Sequence, residues 1–134
     1  MTEIKITNEA AVLLLSSINN LMKSGVMLPT KVWYTLSKNK RILTPFQVGM
    51  KEVTDQLIKK YGEVDPESGL PFMKPGTKEL KLFENELGEI LGEEETIKLY
   101  TVNLSEVLKA QELPGTEGIS EFFEYLVVEE EIVE

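Results

Sequence analysis

Polar and apolar residues alternate at the start of the chain, Glu3-Ile4-Lys5-Ile6-Thr7, with the period of a half-buried strand, and Asn8 follows as a good helix N-cap. From Glu9 the period becomes helical: Ala11, Leu14, Leu15, Ile18, Leu21 and Met22 share one face, and Ser24-Gly25 supplies the stop. A second helix is predicted from about Pro29, whose fixed φ suits a first-turn position, to Leu43, with Val32, Leu36 and Leu43 on one side. Thr44-Pro45-Phe46-Gln47 has the form of a capping box, with Thr44 as N-cap, Pro45 at the first helical position and Gln47 reaching back. The chain is therefore expected to break there and start a third helix, striped by Phe46, Met50, Val53, Leu57 and Tyr61 and ending at Gly62. One long rod kinked at Pro45 is the alternative.

Residues 63–76 hold Pro66, Pro71 and Pro75 with Gly69 and Gly76, which marks a loop or a small irregular hairpin. Thr77 caps a fourth helix with Leu80, Phe83, Leu87, Ile90 and Leu91 as its inner stripe and Gly92 at its close, and Glu93-Glu94-Glu95 forms a solvated exit. Thr96 to Val102 has the β-branched and aromatic content of a strand. Asn103-Leu104-Ser105-Glu106 is a second capping-box pattern, opening a short helix to about Gln111 before Leu113-Pro114-Gly115 turns the chain. A last helical piece starts near Ser120, and Val127 to Glu134 is strand or frayed tail.

The simplest assembly pairs the amino-terminal strand with Thr96–Val102 and packs the helices on that pair, because a two-stranded ribbon is not stable alone. The expected class is α+β, mainly α, with about five helices packed on a small two-stranded sheet. One compact domain over residues 1–134 is expected, with a Pro/Gly-rich loop at 63–76 and an acidic C-terminal tail at about 127–134.

Composition narrows the chemistry. The 134 residues include no Cys and no His, which removes disulfides, thiol nucleophiles, imidazole bases and the ligands zinc prefers. The longest early apolar run, Ala10 to Leu15, is too short for a membrane span, so a cytoplasmic place of action is expected and no membrane partner. The formal net charge of −9 is lopsided, since Ala10 to Lys51 holds no acid and Glu112 to Glu134 no base. Such a balance argues against general nucleic-acid binding.

Paired carboxylates such as Glu84 with Glu89, or the Glu93–Glu95 run, are expected by chance in so Glu-rich a chain. Asp65 with Glu79-Leu80-Lys81 imitates the letters of a restriction-type nuclease motif. Glu79 and Lys81 fall on a helix, however, where residues two apart diverge. No Gly-rich phosphate loop follows a strand, and no catalytic, metal or cofactor site is assigned. Lys31, Tyr34, Lys38 and Arg41 lie at i, i+3, i+7 and i+10, a continuous basic-aromatic face with Asn39 and Lys40 beside it. That face suits a nucleic-acid backbone or an acidic protein, although pairing with the chain's own acidic helices is the preferred reading. Leu70, Phe72 and Met73 place apolar side chains on the proline loop as candidate partner anchors, or as residues that tuck into the chain's own core. Glu121, Glu124 and Glu129 are candidates for an acidic face that imitates nucleic-acid phosphates.

Leu28-Pro29 with Lys31-Val32, then Lys38-Asn39, Tyr61-Gly62, Phe83, Glu86-Leu87 and Ile90-Leu91 resemble a family of small uncharacterised proteins of phages and prophages, mainly of Gram-positive bacteria. The resemblance spans roughly the central half of the chain; the longer proline loop and the Glu-rich tail depart from it. It implies a phage origin and an accessory role, and supplies no site residues. The expected function is thus a non-enzymatic phage or prophage accessory protein that binds a host, defence or phage protein. A virion component assembled by homo-oligomerisation is one alternative, and an acidic mimic that inhibits a DNA- or RNA-binding protein is another.

Overall fold

A computed structural model describes residues 2–103 and 125–128, with the backbone alone at Val128. The chain runs β1 (Thr2–Thr7), α1 (Asn8–Lys23), α2 (Thr30–Tyr61), β2 (Glu63–Val64), β3 (Pro71–Phe72), α3 (Lys78–Leu91), β4 (Glu94–Leu99), β5 (Val102–Asn103) and β6 (Val127–Val128). The protein is mainly helical with a small two-stranded antiparallel sheet, and the described residues hold three helices rather than about five. The difference has two sources. The expected second and third helices are one, and the helical pieces expected at 104–111 and from Ser120 lie mostly outside the described residues. Asn103, expected to cap the first of those pieces, is the last residue of β5, and the helix it would open lies outside the described residues.

β1 pairs antiparallel with β4, from Thr2 opposite Leu99 to Thr7 opposite Glu94. Strand alternation puts Ile4 and Ile6 on one face with Ile97 and Leu99, leaving Glu3, Lys5, Thr96 and Lys98 on the other. The apolar face meets the stripes of α1 and the first half of α2. Ile6, Leu14, Leu15, Ile18, Leu21, Val32, Leu36, Leu43 and Leu99 are sealed together there, joined by Val102 and Leu126. Leu126 leads into β6, which lies parallel to β5 and pairs Val102 with Val127.

Thr7, not Asn8, caps α1: its hydroxyl oxygen accepts from the Ala10 N–H at 3.1 Å. Asn8 is the first helical residue, and its Nδ2 donates to the Ile90 carbonyl at 2.8 Å, tying the start of α1 to the end of α3. Pro29 likewise stands one position earlier than expected, as the N-cap of α2, where its carbonyl accepts from the Trp33 N–H.

α2 continues through Pro45 for 32 residues, so the break expected at Thr44 is corrected. Thr44 does not cap a new helix; its hydroxyl donates back to the Lys40 carbonyl at 2.6 Å. Pro45 has no N–H to give to the preceding turn and costs an interior helix about 3 kcal/mol. Leu43, buried just before it, and Phe46, packed on the same core just after it, hold both sides of the proline to one surface, and that packing outweighs the local penalty.

Past Pro45 the helix leaves the core. Leu57 is its one further buried residue, and α3 packs alongside with Leu80, Phe83, Leu87, Ile90 and Leu91 half-buried and none sealed. The two helices form an arm, with the β2–β3 hairpin at its tip, so the small hairpin option for residues 63–76 is the one that forms. Gly62 makes the junction. A Cβ there would come within 2.6 Å of the Phe72 carbonyl oxygen and closer still to that of Ile58, so only glycine lets the hairpin fold back. Thr77 caps α3 as expected, accepting from the Leu80 N–H at 3.2 Å. Glu94 and Glu95, expected in a solvated exit, are exposed residues of β4. No helix among the described residues is long and apolar enough to cross a membrane.

Candidate functional site

Two of the surfaces singled out in the sequence, the basic face and the proline loop, lie at opposite ends of α2. At 1.5 Å per residue, Arg41 and Tyr61 are about 30 Å apart along the helix, so the basic face and the proline loop cannot form one compact site.

Among the described residues the basic face does not pair with the acidic α3, and most of the acidic carboxy-terminal segment lies outside those residues. Lys31, Lys40 and Arg41 are exposed and make no ion pair among the described residues, where the two ion pairs are Lys5–Glu94 and Lys60–Glu86. Lys38 turns back onto the protein: its Nζ lies 4.7 Å from the centre of the Tyr34 ring and 3.8 Å from that of Tyr100. The ammonium is held between two aromatic faces by attraction to their electron density. Trp33 and Tyr34 stay largely exposed beside it. Lys31 sits in the first turn of α2, where the helix dipole disfavours a cation and neither an acid nor a side-chain cap offsets it. A cleft of about 110 Å³ opens there, lined by Lys31, Val32, Thr35, Thr101, Val102 and Asn103.

Asn39 does not lie on this face. It is fully buried; its Nδ2 donates to the Tyr100 carbonyl at 2.7 Å, and its Oδ1 accepts from the Tyr100 N–H at 2.9 Å. One amide thus satisfies both backbone groups of Tyr100, the first of the two residues between β4 and β5, as a neighbouring strand would. Tyr100, whose backbone and ring both engage α2, was not foreseen as a partner.

The proline-rich segment divides its apolar residues. Val64 and Leu70 are each 65% exposed and Phe72 is 41% exposed, whereas Met73 is half-buried. Val64 was not foreseen, since nothing in the local pattern separates it from a buried loop valine. The hairpin that presents these residues is well tied. The Asp65 N–H donates to the Leu70 carbonyl at 2.9 Å, the Gly69 N–H donates to the Asp65 carbonyl at 2.8 Å, and Gly69 takes a positive φ of 72°. The Asp65 carboxylate accepts from the Glu67 N–H at 2.9 Å, and hydrogen bonds from the Glu67 backbone and then Ser68 hold its pKa below the ordinary value.

That occupation gives Asp65 a turn-forming role and takes it from the nuclease-like pattern. Glu79 and Lys81 are exposed on α3, as the helical reading expects. Glu84 and Glu89 also lie on α3, five residues and so about 140° apart around the helix. Among the described residues no group of three or more acidic side chains could hold a metal ion.

Lys60 near the end of α2 donates to Glu86 Oε1 on α3 at 3.0 Å. That hydrogen bond is the main cause of a lowered Glu86 pKa and a raised Lys60 pKa, with Tyr61 contributing to both. Nearer the core, an open groove of about 510 Å³ runs between α2 and α3, lined by Gly49, Glu52, Val53, Gln56, Leu57 and Ile90. Glu121, Glu124 and Glu129 lie outside the described residues. Compared with protein-family models, with curated proteins and with solved structures, the chain matches none.

Proposed function

We propose that the protein is a non-enzymatic phage or prophage accessory protein that binds another protein through the tip of its arm. The carrying observation is the hairpin: Val64 and Leu70 stand out from a turn that backbone hydrogen bonds and the Gly62 junction hold in place. Apolar side chains on a pre-ordered support lose little freedom on binding, which is what an interface anchor needs. The phage setting rests on the resemblance carried by Leu28-Pro29, Lys31-Val32, Tyr61-Gly62 and Ile90-Leu91. The basic face of α2 is a separate surface for an acidic partner.

The test is a pull-down of partner from host lysate with the native chain and with a Val64→Ser/Leu70→Ser double variant. The native chain is expected to retain one protein in stoichiometric amount, and the variant to retain it at least about tenfold less, the loss of two anchors. Undiminished capture by a folded variant would remove the arm tip from the proposal. A variant with Lys31, Lys40 and Arg41 changed to Gln then asks whether the contact lies at the other end of α2.

A further inference from the structure

Among the described residues the sheet stops at β1, with β4 on one side of it and no strand along the other edge. Within those residues the backbone of residues 2–6 hydrogen-bonds to β4 alone. An open strand edge is a template for another strand, and proteins guard such edges with Pro, a bulge, charged side chains on the strand or a charge turned towards the core face. β1 has no Pro, bulge or inward charge: Ile4 and Ile6 face the helices, and its two charges, Glu3 and Lys5, face outward and are of opposite sign, so that they repel a second strand only where like charges meet.

We infer that the β1 edge pairs with the β1 edge of a second copy of this chain, about a two-fold axis through Ile4, to give a continuous antiparallel sheet in the order β4-β1-β1-β4. A two-fold axis perpendicular to the sheet keeps each side chain on its own face, so residues that meet must share a face. Centred on Ile4, the register sets Glu3 opposite Lys5 of the second copy, and Lys5 opposite its Glu3, on the outer face. On the helix-bearing face it sets Ile4 against Ile4 and Thr2 against Ile6. Centring on Glu3 or on Lys5 would instead put that charge against its own copy.

The same operation does not suit the free edge of β4. Centred on Thr96 it sets Glu95 opposite Ile97, and centred on Ile97 it sets Glu95 opposite Leu99, in each case a carboxylate on the apolar face. Glu95 guards that edge, and β1 is left as the self-complementary one.

Solution mass at high micromolar concentration and near-physiological salt tests this directly. The native chain is expected at twice its 15.2 kDa. Glu3→Lys and Lys5→Glu are each expected to restore the mass of one chain, by setting like charges opposite one another. The double variant Glu3→Lys/Lys5→Glu is expected to dimerise again with the signs exchanged. The double variant keeps both intrachain perturbations, opposite Lys98 and beside Glu94, so its recovery separates a lost interface from a damaged fold. Since the chain has no cysteine, Ile4→Cys gives a second readout: oxidation should link two copies across the axis, whereas Ile97→Cys, covered by its own β1, should not link. A monomeric native chain overturns the inference. So does a dimer indifferent to both single variants, or an Ile4→Cys chain that stays unlinked.

Discussion

Before Pro45, the stripe of α2 is sealed: Val32, Leu36, Asn39 and Leu43 are all buried. After it, Met50 and Val53 are half-buried and Leu57 alone is buried, at 8% exposed and apart from the core cluster. One hydrogen-bonded rod therefore spans two environments. In the first half, burial of large aliphatic side chains supplies the stability, about 1.5–3 kcal/mol for each one fully removed from water. In the second, half-covered side chains and a few ties hold the arm: Asn8 to Ile90, Lys60 to Glu86, and the Gly62 junction. Regular secondary structure says little about local stability. A helix can run unbroken from a region that opens only with global unfolding into one that opens by itself.

The largest test of that contrast is a pair of truncations followed by urea unfolding. Leu36→Ala is expected to cost about 2–5 kcal/mol, because it leaves a cavity in the sealed half, and Leu87→Ala on α3 about half as much. Equal costs would break the comparison. Asn39→Ala comes next, at about 1–3 kcal/mol, since it strips both backbone groups of Tyr100 of their partner within the protein. Thermal melting checks it, and a change of only a few tenths would mean that water replaces the amide.

Gly62→Ala sharpens the contrast by striking the arm alone. Its Cβ would press on the Ile58 and Phe72 carbonyls, so amide exchange at Asp65 and Gly69 should accelerate while that of α1 and the first half of α2 holds. Equal acceleration in both regions would show that the arm and the core open together.

The smallest effect is the pH response. Glu86 and Asp65 have folded pKa values below their ordinary 4.5 and 3.8, so their contribution is complete above those values and is lost as the pH falls through the lowered ones. Lys60, raised from 10.5, acts at the other extreme: its contribution is complete below 10.5 and lost as the pH rises through the raised value. Lys60 and Glu86 keep 58% and 38% of their side chains exposed and Asp65 is half-buried at the surface, so acid should speed exchange in the arm slightly and leave the core unchanged. Glu86→Gln should flatten that acid response.

The β1–β4 pairing and the Thr77 cap could be read from sequence because each is written in a local pattern: alternation in one case, a hydroxyl before an apolar stripe in the other. The continuity of α2 was obscured by the capping-box form of Thr44-Pro45-Phe46-Gln47, which the longer stripe outweighs. Val32, Leu36, Asn39, Leu43, Phe46, Met50, Val53 and Leu57 follow one another at steps of four and three straight through Pro45, provided Asn39 is counted as inward. A lone asparagine reads as a surface residue until its partner is known, and that partner, Tyr100, lies 61 positions away. Thr7 and Asn8 pose the same difficulty. Either can cap a helix, and the contact that draws Asn8 inward comes from Ile90, 82 positions on. Of the candidate surface residues, those facing solvent on α2 followed from helical spacing. The exposure of Val64 depended on how the hairpin meets Gly62, which no local pattern encodes.

The position of Trp33 has an optical consequence. It is the chain's one tryptophan, 40% exposed at the basic end of α2 and 29 residues, or about 44 Å, from Gly62 along the helix. Its emission reports on solvent and quenchers beside Lys31 and Tyr34 and is blind to the arm tip. A ligand that docks at the arm tip should leave the emission unchanged. In a melt, helical circular dichroism that falls before the tryptophan signal moves would resolve the arm unfolding ahead of the core.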